Sequence, residues 1–221
     1  MDQNKKWYKW FYDNIWSKCY KVVVWWCFLP FGGEKKCRET LISEVTFSEN
    51  ERILDMCCGQ GGATFIIAKR AGNRSEIVGI DLSSGQIEIA KKKNNFANVR
   101  FIEGDVIKTG FEDEYFDKVF VTYALHEMLR KERLKTLMEA KRILKEGGKV
   151  IVLELDNPKN FFVRIFIGFW FGYWLPFNFE TPTRRDMLKY GLTNEAKEAG
   201  FRNIRKILKY KGVFQIVEGE K

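Results

Sequence analysis

The stretch RILDMCCGQGGAT, residues 52–64, decides the fold. Ile53 and Leu54 read as a short buried strand that Asp55 closes. Gly59-Gln60-Gly61-Gly62 supply a turn, and Ala63 to Ala71 reads as a helix. A strand that runs through a glycine turn into a helix opens a nucleotide-binding α/β unit. Glycine has no Cβ, so a backbone built from it can take unusual dihedrals and approach a ligand closely.

The residues narrow the ligand. A dinucleotide fingerprint reads G-x-G-x-x-G, and here Thr64 holds the third glycine position. An acid at the strand end, Asp55, is ill placed beside a pyrophosphate. It suits a ligand that carries positive charge and no phosphate. S-adenosylmethionine (SAM), with its sulfonium and ammonium, meets that description, while a plain tight strand-to-helix turn stands as the bland alternative.

Around this stretch lies a chain of 221 residues, 45% hydrophobic and 30% charged, which suits a globular α/β domain with a sizeable core. The net charge of +9 favours anionic partners: nucleic acid, an anionic membrane surface or an acidic ligand. It is equally what a lysine-rich, well-solvated surface would give. Five cysteines without a C-x-x-C pair and a single histidine exclude a Cys/His zinc centre, and no metal is expected. The expected compartment is a reducing cytoplasm, either free or peripheral on the inner face of a membrane. The first apolar run, from Val22, lies behind a Trp-rich segment of mixed charge, which does not read as a signal peptide.

Residues 1–33 form an aromatic and basic helical cap. Trp7, Trp10, Trp16, Trp25 and Trp26 alternate with lysines, and Trp7, Trp10 and Phe11 share a helical face. Such a helix can rest on a membrane or pack over a ligand cleft. Glu34 to Phe47 reads as a helix with Leu41, Ile42 and Val45 inward. Glu76 to Asp81 is a second strand, and Asp81 stands about twenty residues beyond the glycine turn, where open α/β sheets place a ribose-binding acid. Asp81 could instead cap the next helix, although Ser83 or Ser84 could do that. Ser84 to Phe96 reads as a helix and Val99 to Glu103 as a third strand. Asp105, just beyond it, can reach an adenine amine or serve as a turn carboxylate.

Phe116 to Thr122 is a fourth strand, with Tyr123 and His126 at its carboxyl end, the ligand side of such sheets. Lys131 to Leu144 is a helix, Gly147-Gly148 a turn, and Lys149 to Leu155 a fifth strand with Glu154 and Asp156 near its end. Residues 157–188 read as an aromatic lid over the substrate, with Phe161 to Phe179 as its greasy centre. Thr193 to Ala199 is a last helix. Arg202 to Tyr210 and Val213 to Glu218 are closing strands, the second adding antiparallel to the sheet edge. The expected fold is a Rossmann-like, seven-stranded, mostly parallel sheet with helices on both faces and a C-terminal antiparallel strand. Its main domain spans 34–221.

Together LDMCCGQGG (54–62), VGIDLS (78–83), FIEGDV (101–106), FDKVFVTYALHEM (116–128) and ILKEGGKVIVLELDNP (143–158) resemble the class I SAM-dependent methyltransferases. Within them the chain is most similar to the quinone and lipid methyltransferases of the ubiquinone/menaquinone type. AGF at 199–201 and YKGVFQIVEG at 210–219 resemble their last helix and hairpin, and Tyr12-Asp13-Asn14-Ile15 with Tyr20 their N-terminal motif that closes over the cofactor. The tyrosine spacing is one residue long, and His126 stands where that group would not lead one to expect histidine.

The resemblance implies SAM as cofactor and S-adenosylhomocysteine as product. By it Gly59 and Gly61 approach the methionine moiety, Asp55 anchors the ammonium, Asp81 holds the ribose, Asp105 and Val106 hold the adenine, and Tyr123 lies beside the methionine part. Tyr12, Tyr20, Cys57, Leu82 and Gln86 complete the expected cofactor contacts. Cys57 and Cys58 are otherwise small packing residues of the turn.

Methyl transfer needs a positioned nucleophile, excluded water and, where the acceptor must lose a proton, a base. His126, Tyr123 and Asp156 are the expected catalytic residues, with Glu154 as a further candidate. The expected acceptor is lipophilic or small, such as a quinone precursor at a membrane surface. A phospholipid head group or a small amine or thiol is the alternative. An RNA target fits poorly: base-amine methyltransferases usually carry an N/D-P-P-Y-like turn after strand four, and here that position reads Val121-Thr122-Tyr123-Ala124-Leu125.

Overall fold

A computed structural model describes residues 10–173 and 181–221, with the side chains of 16–21, 171–173 and 181 left aside. Its seven-stranded sheet has the order β3-β2-β1-β4-β5-β7-β6, where β1 is Arg52–Met56, β2 Glu76–Asp81, β3 Val99–Glu103, β4 Phe116–Thr122, β5 Leu144–Leu155, β6 Arg202–Lys209 and β7 Phe214–Glu220. The chain divides into two compact units, Met1–Gly110 and Phe111–Lys221.

The first unit begins with a π-helical turn, Tyr12–Trp16, that runs into α1 (Ser17–Phe28) and a 3₁₀ turn, Leu29–Phe31. Trp7 lies outside the described residues, as does the side chain of Tyr20. Helix α2 (Glu34–Ile42) buries Cys37, Leu41 and Ile42, and Val45 beyond it is buried too. It stops well short of Phe47. The hydroxyls of Thr40 and Ser43 donate back to the carbonyls of Lys36 and Thr40, which loosens the helical ladder at its end.

β1, β2 and β3 pair in parallel, with Leu54 against Val78 and Val78 against Arg100. All but the first residue of β1 is buried, as expected for a strand covered on both faces. Two helices follow the turns, α3 (Gly62–Ala71) and α4 (Ser84–Lys93). α4 ends three residues before Phe96, because the Asn94 carboxamide accepts the Phe96 N–H and donates to the Val99 carbonyl. That Asx turn offers the backbone an alternative to the helix.

In the second unit β4 and β5 are parallel, and β7 lies between β5 and β6, antiparallel to both. The last strand is therefore interior and β6 is the edge, which corrects the expectation that the last strand would lie at the edge. β5 is also longer than expected. Phe116 pairs with Leu144 and Lys118 with Lys149, so Gly147-Gly148 sits in a bulge of the strand, with Gly147 at φ 73°.

Helix α5 (Arg130–Ile143) carries a fully buried Arg133. Its guanidinium donates to Glu195 and Asp186 and to the Met128 carbonyl. Those acids lie on α7 (Thr181–Tyr190) and α8 (Leu192–Glu198), beyond α6 (Phe161–Tyr173). The fold class agrees with the sequence reading in sheet, strand count and direction. Among the described residues no helix is long and apolar enough to cross a membrane, and no cluster of His, Cys, Asp or Glu could hold a metal.

Candidate functional site

In the first unit the ends of three parallel strands converge through backbone bonds. The Cys58 N–H donates to the Ile80 carbonyl, and the Gly104 N–H donates to the Asp81 carbonyl. The glycine turn, Asp81 and the Gly104-Asp105 loop are thereby held together. Gly79 makes this possible. A Cβ there would stand 2.6 Å from the Phe101 ring and 2.9 Å from the Cys58 sulfur.

The turn itself takes left-handed dihedrals at Cys57 (φ 57°), Gly59 (φ 53°) and Gly61 (φ 82°). Cys57 is the costly one, since such a conformation is uncommon outside glycine. Gly61 is enforced twice, by its φ and because a Cβ would meet Phe65 at 2.8 Å. At Gly59 a Cβ would meet nothing within 4 Å among the described residues.

Beneath the turn lies Asp55, fully buried. Its Oδ2 accepts the Thr64 hydroxyl at 2.6 Å, while Oδ1 takes no hydrogen bond among the described residues. Burial pushes its pKa up to about 7, against the Thr64 hydrogen bond and the Arg38 charge, which pull it down. Thr64, which breaks the dinucleotide fingerprint, is thus the residue that orients this carboxyl. Cys58 is buried, and burial pushes its thiol well above the ordinary range, which makes it a packing residue.

Asp81 accepts the Gly59 N–H at 2.8 Å on Oδ2 and the Ser83 N–H at 2.9 Å on Oδ1. These two backbone bonds orient the carboxylate beside the turn. The helix cap is Ser83, whose hydroxyl accepts the Gln86 N–H, so Asp81 is not the cap of α4. Gln86 is buried, with Oε1 unbonded among the described residues. Leu82 is half-buried and Val106 buried beyond the strand ends, and Asp105 accepts the Ile107 N–H in a tight turn.

The N-terminal motif reaches this place through a residue the sequence reading did not single out. Asp13 accepts the hydroxyls of Ser83 and Ser84 and the Gly85 N–H, at the start of α4. A carboxylate is favoured at a helix N-terminus by the exposed amides there. Gly85 allows the approach, since a Cβ would stand 3.3 Å from the Asp13 carbonyl oxygen. Tyr12, beside it, is half-buried and packs edge-on against Phe11.

The second unit has its own polar centre. Tyr123 directly follows β4 in the left-handed region, φ 52°, its N–H donating to the Leu153 carbonyl and its ring edge-on to Phe214. A 3₁₀ turn, Leu125–Glu127, then sets His126 against Glu154 on β5. His126 Nδ1 lies 2.9 Å from both Glu154 oxygens. A carboxylate accepts, so Nδ1 carries the hydrogen and the Nε2 lone pair points the other way. Glu154 is fully buried and also accepts the backbone N–H groups of His126 and Leu155. The other acid expected here, Asp156, is bound elsewhere: its carboxylate pairs with Lys206 on β6 at 2.7 Å. The His126 partner is therefore Glu154.

The first unit fits SAM. It offers a buried, singly bonded carboxyl for an ammonium, a Gly59 whose Cβ position no described residue approaches and an oriented carboxylate at Asp81 for ribose hydroxyls. Solved structures similar to the chain agree in fold. A SAM-dependent methyltransferase of Thermotoga maritima, described as a possible histamine N-methyltransferase, superposes with a TM-score of 0.68 at 20% identity, over 94% of this chain and 98% of that one. One from Aquifex aeolicus gives 0.65 at 20% identity, over 83% and 89%.

In sequence, the demethylmenaquinone methyltransferase of Bacillus subtilis is 30% identical over 152 residues, 67% of this chain and 64% of that protein. That of Staphylococcus saprophyticus is 31% identical over 131 residues, 59% and 55%. The matched part of the chain thus spans 55% to 64% of the length of these relatives. The pattern of the ubiE/COQ5 methyltransferase family matches residues 12–181, from the Asp13 motif through both polar centres. With that match over most of its length, the chain belongs to the ubiE/COQ5 methyltransferase family.

Proposed function

We propose that the chain is a SAM-dependent methyltransferase whose acceptor is a lipophilic quinone precursor, met at a membrane surface. The observation that carries the reading is Asp55, a fully buried carboxyl with one unbonded oxygen under the glycine turn of a family methyltransferase. The relatives named for demethylmenaquinone support the acceptor class. The aromatic exposed residues Trp10 and Trp25 of the N-terminal segment support the membrane surface. Phospholipid head groups and small amines or thiols are the less favoured acceptors.

When bound, SAM supplies an electrophilic methyl on its sulfonium. Asp55 holds the ammonium by charge, and the backbone at Gly59 and Gly61 admits the methionine part. Asp81 accepts from the ribose hydroxyls, while Asp105 and Val106 hold the adenine. Cys57, Leu82, Gln86 and Tyr12 line the same cofactor. His126 takes a proton from the acceptor on Nε2, with Glu154 holding the ring and stabilising its cationic form. That is the role a carboxylate behind a histidine plays in proton transfer generally.

Two measurements test this. Incubation with SAM and demethylmenaquinone kept reduced to its quinol, in detergent micelles, should yield a singly methylated ring, read by mass. Methylation of phospholipids or small amines and thiols, with the quinone untouched, would move the assignment to the alternative. By calorimetry, Asp81→Ala should weaken SAM binding about tenfold or more, the scale of a lost hydrogen bond to a charged group. Unchanged affinity would remove Asp81 from the cofactor site.

A further inference from the structure

Helix α6 has its apolar face turned to solvent. Phe161, Phe162, Ile165, Phe166 and Phe169 are each between 47% and 78% exposed. At 3.6 residues per turn these five positions fall within an arc of about 140°. Ile167, on the other side, is buried. An amphipathic helix of a globular protein ordinarily turns such a stripe to the core. Contiguous apolar surface of this kind marks an interaction site.

We infer that α6 docks in the plane of an anionic bilayer surface, its phenylalanine stripe among the upper acyl chains and its cations at the lipid phosphates. The inference deepens the membrane part of the proposed function and rests on that reading for the location of the acceptor. Its physical basis stands on α6 itself.

The one-sided stripe and the internal Arg164 favour lying flat over spanning. Among the described residues the helix has 13, roughly 20 Å at 1.5 Å each against the ~30 Å hydrocarbon core, and it carries Arg164 within it. Charge decides between lipid and a second copy. Arg164 is the single charged residue of α6, Lys159 stands two residues before it, and no acid occurs from 157 to 179. Lys159, Arg164 and Arg185 on α7 are exposed. Two copies joined through this face by a twofold axis would bring like charges together. An anionic surface complements them, each basic residue near it adding to the attraction. The net charge of +9 acts in the same direction.

The test uses the full chain and vesicles of phosphatidylcholine with or without one third phosphatidylglycerol. Wild type should co-sediment with the anionic vesicles and much less with the neutral ones. Phe162→Glu with Phe166→Glu should lower anionic-vesicle affinity at least tenfold, and Arg164→Glu several-fold. Both sites are exposed, and unchanged SAM affinity by calorimetry shows that the variants fold. Equal vesicle binding by the double variant and wild type overturns the role of α6, whatever residues 1–31 contribute. Loss of a wild-type dimer on light scattering in the double variant, with vesicle binding intact, overturns it in favour of a copy interface. Absence of binding by wild type overturns it and also the membrane part of the proposed function, while leaving the methyl-transfer assay to stand or fall separately.

Discussion

Asp55 and Glu154 are both fully buried carboxyls near the carboxyl ends of sheet strands, and they differ in how far their oxygens are satisfied. Glu154 accepts four contacts: two to His126 Nδ1 and one each from the backbone N–H groups of His126 and Leu155. Asp55 has a single bond, from Thr64, and an oxygen with none among the described residues. A buried acceptor left unbonded costs about 1–3 kcal/mol, which a protein recovers only if something binds there. Saturation marks a group that orients a neighbour. Incomplete saturation marks a group that meets a ligand.

The largest effect should come from breaking the saturated centre. Glu154→Gln sets a carboxamide N–H₂ against N–H groups that need an acceptor, and it unsettles the histidine tautomer. Turnover should fall about a hundredfold or more, the scale of lost general base catalysis. SAM affinity should hold, and a parallel loss of SAM binding would show that Glu154 is not confined to proton handling.

Next comes the unsaturated centre. Asp55→Asn keeps an acceptor for Thr64 and removes the charge, so SAM affinity should fall about tenfold to a hundredfold. The pH dependence sharpens this. The carboxyl rises from 3.8 to about 7 on folding, so the folded chain holds its proton more tightly. Its contribution to stability is complete below pH 3.8 and is withdrawn as pH rises to about 7, by up to ~1.4 kcal/mol per pH unit. In Asp55→Asn the melting temperature should vary less over that window. Binding an ammonium favours the ionised carboxylate, so SAM should bind with release of a proton below about pH 7. Calorimetry in buffers of different ionisation enthalpy measures it, and zero release at pH 6 would refute the contact.

The smallest effect belongs to Asp13, whose bonds are only half-buried. Asp13→Ala should weaken SAM binding about three- to tenfold, through looser attachment of the N-terminal segment to α4. Faster proteolysis before Ser17 would report the same loosening, and wild-type protection would dissociate Asp13 from it.

Most of the sheet was legible because its signals are local. β2, β3 and β4 begin and end where the sequence reading put them, each an apolar run closed by an acid or a threonine. The glycine turn and its flanking acids were legible for the same reason, since Asp55, Gly59, Gly61 and Asp81 sit at fixed offsets from those strand ends. The rest depended on partners distant in sequence. Glu154 and Asp156 have the same strand parity, and only Lys206 on β6 takes Asp156 out of the polar centre. Asp13 owes its place to Ser83 and Gly85, 70 and 72 residues on. The position of β7 between β5 and β6, and the bulge at Gly147-Gly148, are pairing outcomes that no window of sequence contains.

The buried Arg133 has a consequence for the order of assembly. Its acidic partners Asp186 and Glu195 follow it by 53 and 62 residues. A guanidinium cannot leave water unpaired without a penalty of several kcal/mol. On the ribosome, α5 must therefore keep this face wet until α7 and α8 have emerged. Closure of this face of the second unit therefore waits for Glu195, 62 residues after the arginine itself.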